Sequence, residues 1–277
     1  MTRIDKEQFG PWAIVTGASS GIGKEFARQL AASGLNLVLV ARRLSLLEDL
    51  GHQLANQFEI QYRAVGVDLT EPGFLETIEA ATRGLDVGLL ISNAGTAAVG
   101  EFLTLERSAL DQSARLNVLA HLNLVRRYSE HLAQRGRGGV LLVSSTVGTH
   151  GAPFMADYAA AKAYVLKLGE ALHMEFQEQG LHLTVLLPGP TATEGVAASG
   201  FDMPMKLMSV EQCVAEGLAA LRANRSTHIA GRVNRIMAAL IPGALMRKMM
   251  GTMLARAVAG KRSRAGLARS MTENAPR

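Results

Sequence analysis

A tyrosine and a lysine four residues apart, Tyr158 and Lys162 in the run YAAAK, are the pair in this chain best suited to moving a proton. Residues four apart on a helix share one face, so the ammonium can lie beside the phenol. A free phenol has a pKa of about 10, and bringing it near 7 takes roughly 4 kcal/mol of preferential stabilisation of the phenolate. Positive charge in a dry pocket supplies energy of that order, because charges interact more strongly there than in water. Tyr-x-x-x-Lys alone occurs often by chance. What singles this one out is its place after Ser144-Ser145, which end an aliphatic run.

A second signal lies near the amino end. Thr16-Gly17-Ala18-Ser19-Ser20-Gly21-Ile22-Gly23 follows the apolar AIV and precedes a helical pattern. Glycine allows close backbone approach and unusual φ, and a following helix offers free N–H groups and the positive end of its dipole to a pyrophosphate. The letters from Gly17 to Gly21 also fit G-x-S-x-G, the nucleophile elbow of α/β-hydrolases, with Asp202 and His228 in the chain order a triad needs. Against the elbow, it would fall on the first strand with no earlier strand to build an oxyanion loop, and Gly23 would go unexplained. The second strand ends Ala41-Arg42-Arg43. An acid there would hold the 2′-hydroxyl of NAD, whereas arginines offer charge-assisted bonds to the 2′-phosphate of NADP(H).

These groups need a scaffold. Short β-branched or aliphatic runs at 13–16, 36–41, 61–67, 87–93, 140–145, 183–187 and 227–230 alternate with helical patterns at 22–33, 44–57, 74–83, 106–134 and 155–179. Most of the short runs are continuously apolar, as strands buried on both faces require. The alternation predicts an α/β fold, a Rossmann-type doubly wound parallel sheet of about seven strands. The 277 residues are 48% hydrophobic with 8 Pro and 28 Gly, enough for one sizeable core and unlike a disordered or collagenous chain. One cysteine, Cys213, allows neither an internal disulfide nor a cysteine-based metal cluster, and the first ten residues carry charges of both signs and no apolar signal segment. A cytoplasmic location is expected. The histidines, His52, His121, His131, His150, His173, His182 and His228, have no metal-ligand spacing, so no metal is expected.

Taken together, these pieces resemble the short-chain dehydrogenase/reductase family from about residue 12 to 193, and more weakly to 229. The match consists of T-G-x-x-x-G-x-G at 16–23, Asp68 in VDLT, Asn93-Ala94-Gly95, Asn117 in RLNVL, Ser145, Tyr158-x-x-x-Lys162, and Pro188-Gly189 with Thr193. In that family the matching serine precedes the tyrosine by 13 residues, which selects Ser145 over Ser144. The resemblance implies that Tyr158 is the general acid/base and that Ser145 holds the substrate oxygen. Lys162 would bind the nicotinamide ribose and, with the positive ring, lower the tyrosine pKa, while Asn117 would support a proton-relay water. Cofactor contacts are implied for Gly17, Ser19, Ser20, Gly21, Ile22 and Gly23, for Arg42 and Arg43, and for Asp68, on the adenine, with Leu69. Further contacts are implied for Asn93, Ala94 and Gly95 as the floor, for Tyr158, and for Pro188, Gly189, Thr191 and Thr193, the last on the carboxamide. The chain departs from the pattern at Ser92, where the family often has asparagine. It departs again at Ser19 and Ser20, where NADP-preferring relatives often place a basic residue, which leaves cofactor choice mainly to Arg42.

The carboxyl-terminal part is less generic. From Arg222 onward there are twelve basic residues and one acid, Glu273, although the whole chain is only +5. Such a segment attracts an anionic partner, a phosphorylated substrate or a membrane surface, or is simply a solvated face and tail. No aromatic platform or reader motif accompanies it, so nucleic acid is not expected. The apolar stretch 236–258 is broken by Pro242, Arg247, Lys248 and Arg256 and falls short of a spanning helix. Eight of the twelve methionines lie between Met203 and Met253, which suggests either a pliable pocket for a long acyl chain or sterol-like ring system, or ordinary core packing.

By resemblance, 194–222 takes the place of a substrate lid within a catalytic domain at 1–232, and 233–277 forms a helical extension serving as lid, interface or membrane-facing surface. The expected function is an NADP(H)-dependent oxidoreductase, a homodimer or homotetramer by resemblance, interconverting a ketone and a secondary alcohol on a hydrophobic small molecule. A 3-oxoacyl-thioester reductase and a catalytically silent nucleotide-binding regulator are the alternatives. Asn117, Ser145, Tyr158 and Lys162 speak against the regulator, since a pure binder has no chemical need for all four.

Overall fold

Successive side chains of a strand point to opposite faces, and in this chain both sets are apolar. In β1 (Trp12–Thr16), Ala13 and Val15 enter one core and Ile14 the other; in β2 (Asn36–Ala41), Leu37 and Leu39 oppose Val38 and Val40. Strands without a polar face need helices on both sides. The computed structural model describes residues 3–198 and 207–273 and supplies them. The remaining strands are β3 (Tyr62–Gly66), β4 (Val87–Ser92), β5 (Gly138–Val143), β6 (Leu181–Leu187) and β7 (Thr227–Ile229). All seven form one parallel sheet in the order β3-β2-β1-β4-β5-β6-β7. The order reverses between β1 and β4, where Val15 pairs with Leu39 on one side and Ile91 on the other. At such a reversal a crevice opens beyond the carboxyl ends of the strands.

In chain order the helices are α1 (Lys6–Phe9), α2 (Gly21–Ala31), α3 (Leu44–Phe58), α4 (Phe74–Thr82), α5 (Arg107–Ala114), α6 (Ala120–Arg135), α7 (Ala156–Gln177), α8 (Glu194–Ala198), α9 (Val210–Arg222), α10 (Arg232–Leu240) and α11 (Gly243–Glu273). Helices α2, α3 and α9 cover one face of the sheet through Phe26, Leu30, Leu47, Leu54, Leu218 and Leu221. Helices α4, α6 and α7 cover the other through Ile78, Leu124, Tyr128, Leu132 and Val165.

The doubly wound parallel sheet is the fold the sequence predicts, with three local differences. The helix expected over 106–134 is interrupted by a π-helical turn, Arg115–Leu119, between α5 and α6. Helix α1 was not expected; at four residues it is too short to show a period, and Asp5 caps it by accepting the Glu7 N–H at 2.9 Å. Helix α9 falls inside the expected lid, yet Cys213, Val214, Leu218 and Leu221 are completely buried in the core shared with α2. A segment so packed is part of the scaffold; of the rest of the expected lid, 199–206 with Asp202, Met203 and Met205 lies outside the described residues.

Candidate active site

The crevice is closed at its base by one threonine. Thr16 ends β1 fully buried, and its hydroxyl accepts the N–H groups of Asn93 at 2.9 Å and Ala94 at 3.1 Å, while Asn93 Nδ2 donates to the Thr16 carbonyl at 2.8 Å. The strap Asn93-Ala94-Gly95, leaving β4, is thereby tied across the reversal point. Two glycines are sterically required beside it. A Cβ on Gly17, whose φ is +68°, would lie 2.8 Å from Asn93 Nδ2, and one on Gly23 would lie 2.2 Å from the Gly17 carbonyl oxygen.

At the start of α2, the Gly21 N–H donates to Glu194 Oε2 at 2.7 Å. A carboxylate seated on this amide demonstrates the anion affinity of the helix end, and a phosphate oxygen makes the same bond. Thr193 faces the same turn: a methyl group on Gly21 would touch its side chain at 3.2 Å. At the end of β2, Arg43 Nη2 donates to Ser19 Oγ at 3.0 Å, with Arg42 exposed beside it. After β3, Asp68 Oδ1 accepts from the Thr70 N–H and hydroxyl at 2.9 and 2.8 Å, and Leu69 is buried. After β6, Pro188 accepts the Thr146 N–H at 3.0 Å, and Thr191 is buried with its hydroxyl on the Gly189 carbonyl at 2.9 Å. An anion-accepting turn, guanidinium groups and a carboxylate at successive strand ends form a donor set that fits a nicotinamide dinucleotide.

The two serines after β5 have different partners. The Ser144 hydroxyl donates to the Lys162 carbonyl at 2.7 Å, which ties the strand end to α7. Ser145 Oγ accepts the Val147 N–H at 3.4 Å and donates to the Pro188 carbonyl at 3.5 Å, and Ser145 is the serine that acts on the Tyr158 phenol. Tyr158 stands in the first turn of α7; one turn on, Lys162 is buried, with Nζ donating to the Val143 carbonyl at 2.9 Å and 5.7 Å from the centre of the tyrosine ring. Burial pushes the Lys162 ammonium down to about 8. Burial also raises the Tyr158 phenol above its usual value, and the Ser145 hydrogen bond opposes that rise. The protein groups alone therefore favour the protonated phenol. The physical reason is desolvation, which penalises the phenolate more than the interaction with Ser145 favours it. The lowering expected of Lys162 acts together with the positive nicotinamide ring.

Asn117 lies in the π-turn. Its Nδ2 donates to the Thr96 carbonyl at 2.8 Å and to Ser113 Oγ at 3.0 Å, and its Oδ1 accepts the Thr96 N–H at 3.2 Å. The extra residue of a π-turn re-aims a side chain, and such turns recur at functional sites. A Cβ on Gly95 would lie 2.9 Å from Asn117 Oδ1 and 3.3 Å from Lys162 Nζ, so asparagine and lysine converge on the strap.

Three further participants were not foreseen. His121, in the first turn of α6 directly after the π-turn, is buried with Nε2 3.1 Å from the Ala94 carbonyl and Nδ1 2.7 Å from Ser92 Oγ. A carbonyl only accepts, so Nε2 carries the proton and Ser92 donates to Nδ1. The departure at Ser92 was the one hint of this pair. Glu194 and Met250 are the others. Met250, on α11, packs against the Val147, Ala152 and Ala159 cluster that Tyr158 and Met155 also pack against, so the carboxyl-terminal helix shares the apolar cluster of the tyrosine. The hydrolase alternative loses its histidine, because His228 Nε2 is 3.0 Å from Glu216, and its serine, Ser19, serves Arg43; Asp202 is outside the described residues.

His121 makes a measurable stability prediction. Burial, with the Lys162 charge adding to it, pushes its pKa down to about 3. The unfolded side chain takes up a proton near 6.5 and the folded one does not, so the contribution is complete above that pH and is lost as pH falls. Between pH 6.5 and 4.5 the loss is about 2–3 kcal/mol. Glu216, whose pKa of about 2 reflects bonds from Gly231, His228, Gln212 and Arg235 that outweigh its burial, acts only below that window. Denaturant midpoints of wild type should fall across this window, and those of His121→Gln should stay nearly flat; parallel curves would refute the assignment.

A parallel sheet with an anion-accepting turn after its first strand, and Ser145, Tyr158 and the buried Lys162 gathered near its centre, is the arrangement of an oxidoreductase that works with a nicotinamide dinucleotide. The family model described as short chain dehydrogenase matches residues 11–203. The chain belongs to the short-chain dehydrogenase family. It is 31% identical over 236 residues to a 7beta-hydroxysteroid dehydrogenase of Collinsella aerofaciens, covering 83% of this chain and 89% of that one. A short-chain dehydrogenase from Sphingobium yanoikuyae, solved in complex with NADPH, has 28% identity, 97% coverage of both chains and a TM-score of 0.76. A bulky-bulky ketone specific alcohol dehydrogenase from Comamonas testosteroni has 27% identity, again 97% of each chain, and a TM-score of 0.72.

Proposed function

We propose that this protein is an NADP(H)-dependent oxidoreductase that interconverts a ketone and a secondary alcohol on a bulky, apolar small molecule. The observation that carries the reading is the meeting of Ser145, Tyr158 and Lys162 beside the strap at 93–95. When bound, NADPH supplies the hydride for ketone reduction. The chain's own residues manage the oxygen. The Ser145 hydroxyl donates to the carbonyl oxygen, and Tyr158, held protonated by burial, gives its proton to that oxygen as negative charge develops there. Lys162 keeps the resulting phenolate from becoming an uncompensated buried anion. Asn117 and His121 hold the strap in place, so the geometry is set before substrate arrives.

NADP(H) preference is supported by the arginines at the end of β2, by the absence of an acid between Asn36 and Arg43, and by the NADPH bound to the Sphingobium relative. A bulky substrate is supported by the apolar wall of Val147, Ala152, Met155 and Met250 around Tyr158, and by the ketone preference of the Comamonas relative. The lone, buried Cys213 suits the cytoplasm. Apolar residues exposed near and along α7, among them Leu119, Tyr164 and Met174, favour a homodimer or homotetramer.

The test is oxidation of NADPH with ketones graded in size. Turnover should favour bulky over short ketones, and Met250→Ala should raise KM for the bulky ones roughly tenfold while leaving the NADPH Kd unchanged. NADPH binding without turnover of any ketone would favour the silent regulator, and turnover confined to 3-oxoacyl thioesters would favour the acyl reductase.

A further inference from the structure

Helix α10 exposes an apolar face that no described part of the chain covers. None of its nine residues Arg232–Leu240 is buried except by partial contact, and Val233, Ile236 and Leu240 are 69%, 48% and 75% exposed. Their spacing of three and four places them on one side of the helix. The opposite side is anchored. Asn234 Nδ2 donates to the Ala230 carbonyl at 2.7 Å and packs over Gly189, while Arg235 bonds Glu216 at 2.7 Å. After Pro242 the pattern continues on α11, where Met250 and Leu254 turn inward and Leu245 and Met249 outward.

The charge of this region selects the occupant. Between Glu216 and Glu273 the sequence has no Asp or Glu. Arg232, Arg247, Lys248 and Arg256 are exposed and take part in no ion pair among the described residues. A second copy related by a two-fold axis would set this cationic, acid-free face against itself, which opposes self-association. An anionic lipid surface meets both features, taking the apolar side chains between its headgroups and the basic ones at its charged plane. No helix among the described residues is long and apolar enough to cross a membrane, so the segment would lie on the surface.

We propose that α10 and the first turns of α11 form a membrane-docking surface for anionic lipid bilayers. The proposal is independent of the substrate assigned above. Because Met250 on the inner side of α11 touches the Tyr158 cluster, docking places the catalytic cleft beside the lipid phase.

The experiment is co-sedimentation of the full-length protein with vesicles of phosphatidylcholine alone and of phosphatidylcholine containing phosphatidylglycerol. Partitioning should be at least tenfold stronger on the anionic vesicles and should collapse at high salt. Each of Lys248→Glu and Arg256→Glu should weaken it, by about fivefold per charge removed. Ile236→Gln combined with Leu240→Gln should reduce it about tenfold or more, with NADPH oxidation on a soluble ketone unchanged. Sedimentation velocity on the same double variant reads the alternative. An oligomer present in wild type and lost in the variant would assign the face to a second copy and overturn the proposal. Equal partitioning of wild type and variant, or no preference for anionic vesicles, would overturn it too.

Discussion

Replacing Tyr158 with phenylalanine should lower kcat for ketone reduction on the order of 10³-fold while leaving the Kd for NADPH essentially unchanged. The substitution removes one oxygen and keeps the ring that packs with Met155 and Met250. The neighbouring Ser144 hydroxyl is spent on the Lys162 carbonyl, and the bond Lys162 Nζ makes is to the Val143 carbonyl. KM for the ketone should change little, since the hydroxyl acts chiefly on charge that develops after binding. The pH profile is the second readout. A phenol held above its usual pKa stays protonated through neutrality, so wild-type reduction should be nearly level there and alcohol oxidation, which needs the phenolate, should rise with alkalinity. The phenylalanine variant should lose that rise. A variant with kcat within tenfold of wild type would remove the tyrosine from the mechanism.

Cofactor choice should be as responsive. Hydrogen bonds to a charged group contribute about 1.5–3 kcal/mol each, and every 1.4 kcal/mol is tenfold in affinity. Arg42→Asp with Arg43→Ala should therefore reduce the ratio of NADPH to NADH efficiency by about 10²- to 10⁴-fold, part of it gained back as NADH binding through the new carboxylate. The single variants divide the effect. The sequence points to Arg42 as the main determinant, whereas the bond to Ser19 fixes Arg43 against the glycine turn. Arg43→Ala should carry at least half of the shift in free energy. An unchanged ratio in the double variant would show that neither guanidinium reads the phosphate.

The fold was legible because burial on both faces writes itself as uninterrupted aliphatic runs, and strand ends were misjudged where that signal fades. β5 begins at Gly138, ahead of its first valine, because two glycines carry no apolar mark. The tyrosine, lysine and glycine turn were legible because their spacing is local. Contacts across large separations were not: Ser92 meets His121 and Gly21 meets Glu194 only once the sheet is folded. The π-turn that aims Asn117 was not legible, since Arg115–Leu119 is too short for a period of its own and its letters read as ordinary helix. The lid was overextended because an amphipathic helix reads alike whether its apolar side closes over a ligand or, as in α9, over the permanent core.

Glu194 gives the mouth of α2 a resident counter-charge. On the cofactor placement proposed above, its carboxylate and a phosphate oxygen would compete for the Gly21 amide, so nucleotide arrival there would be an ion exchange whose gain at that amide is the difference between two charge-assisted bonds. That carboxylate belongs to the opening residue of α8, so on the proposed cofactor placement the exchange would release the tie between α8 and α2.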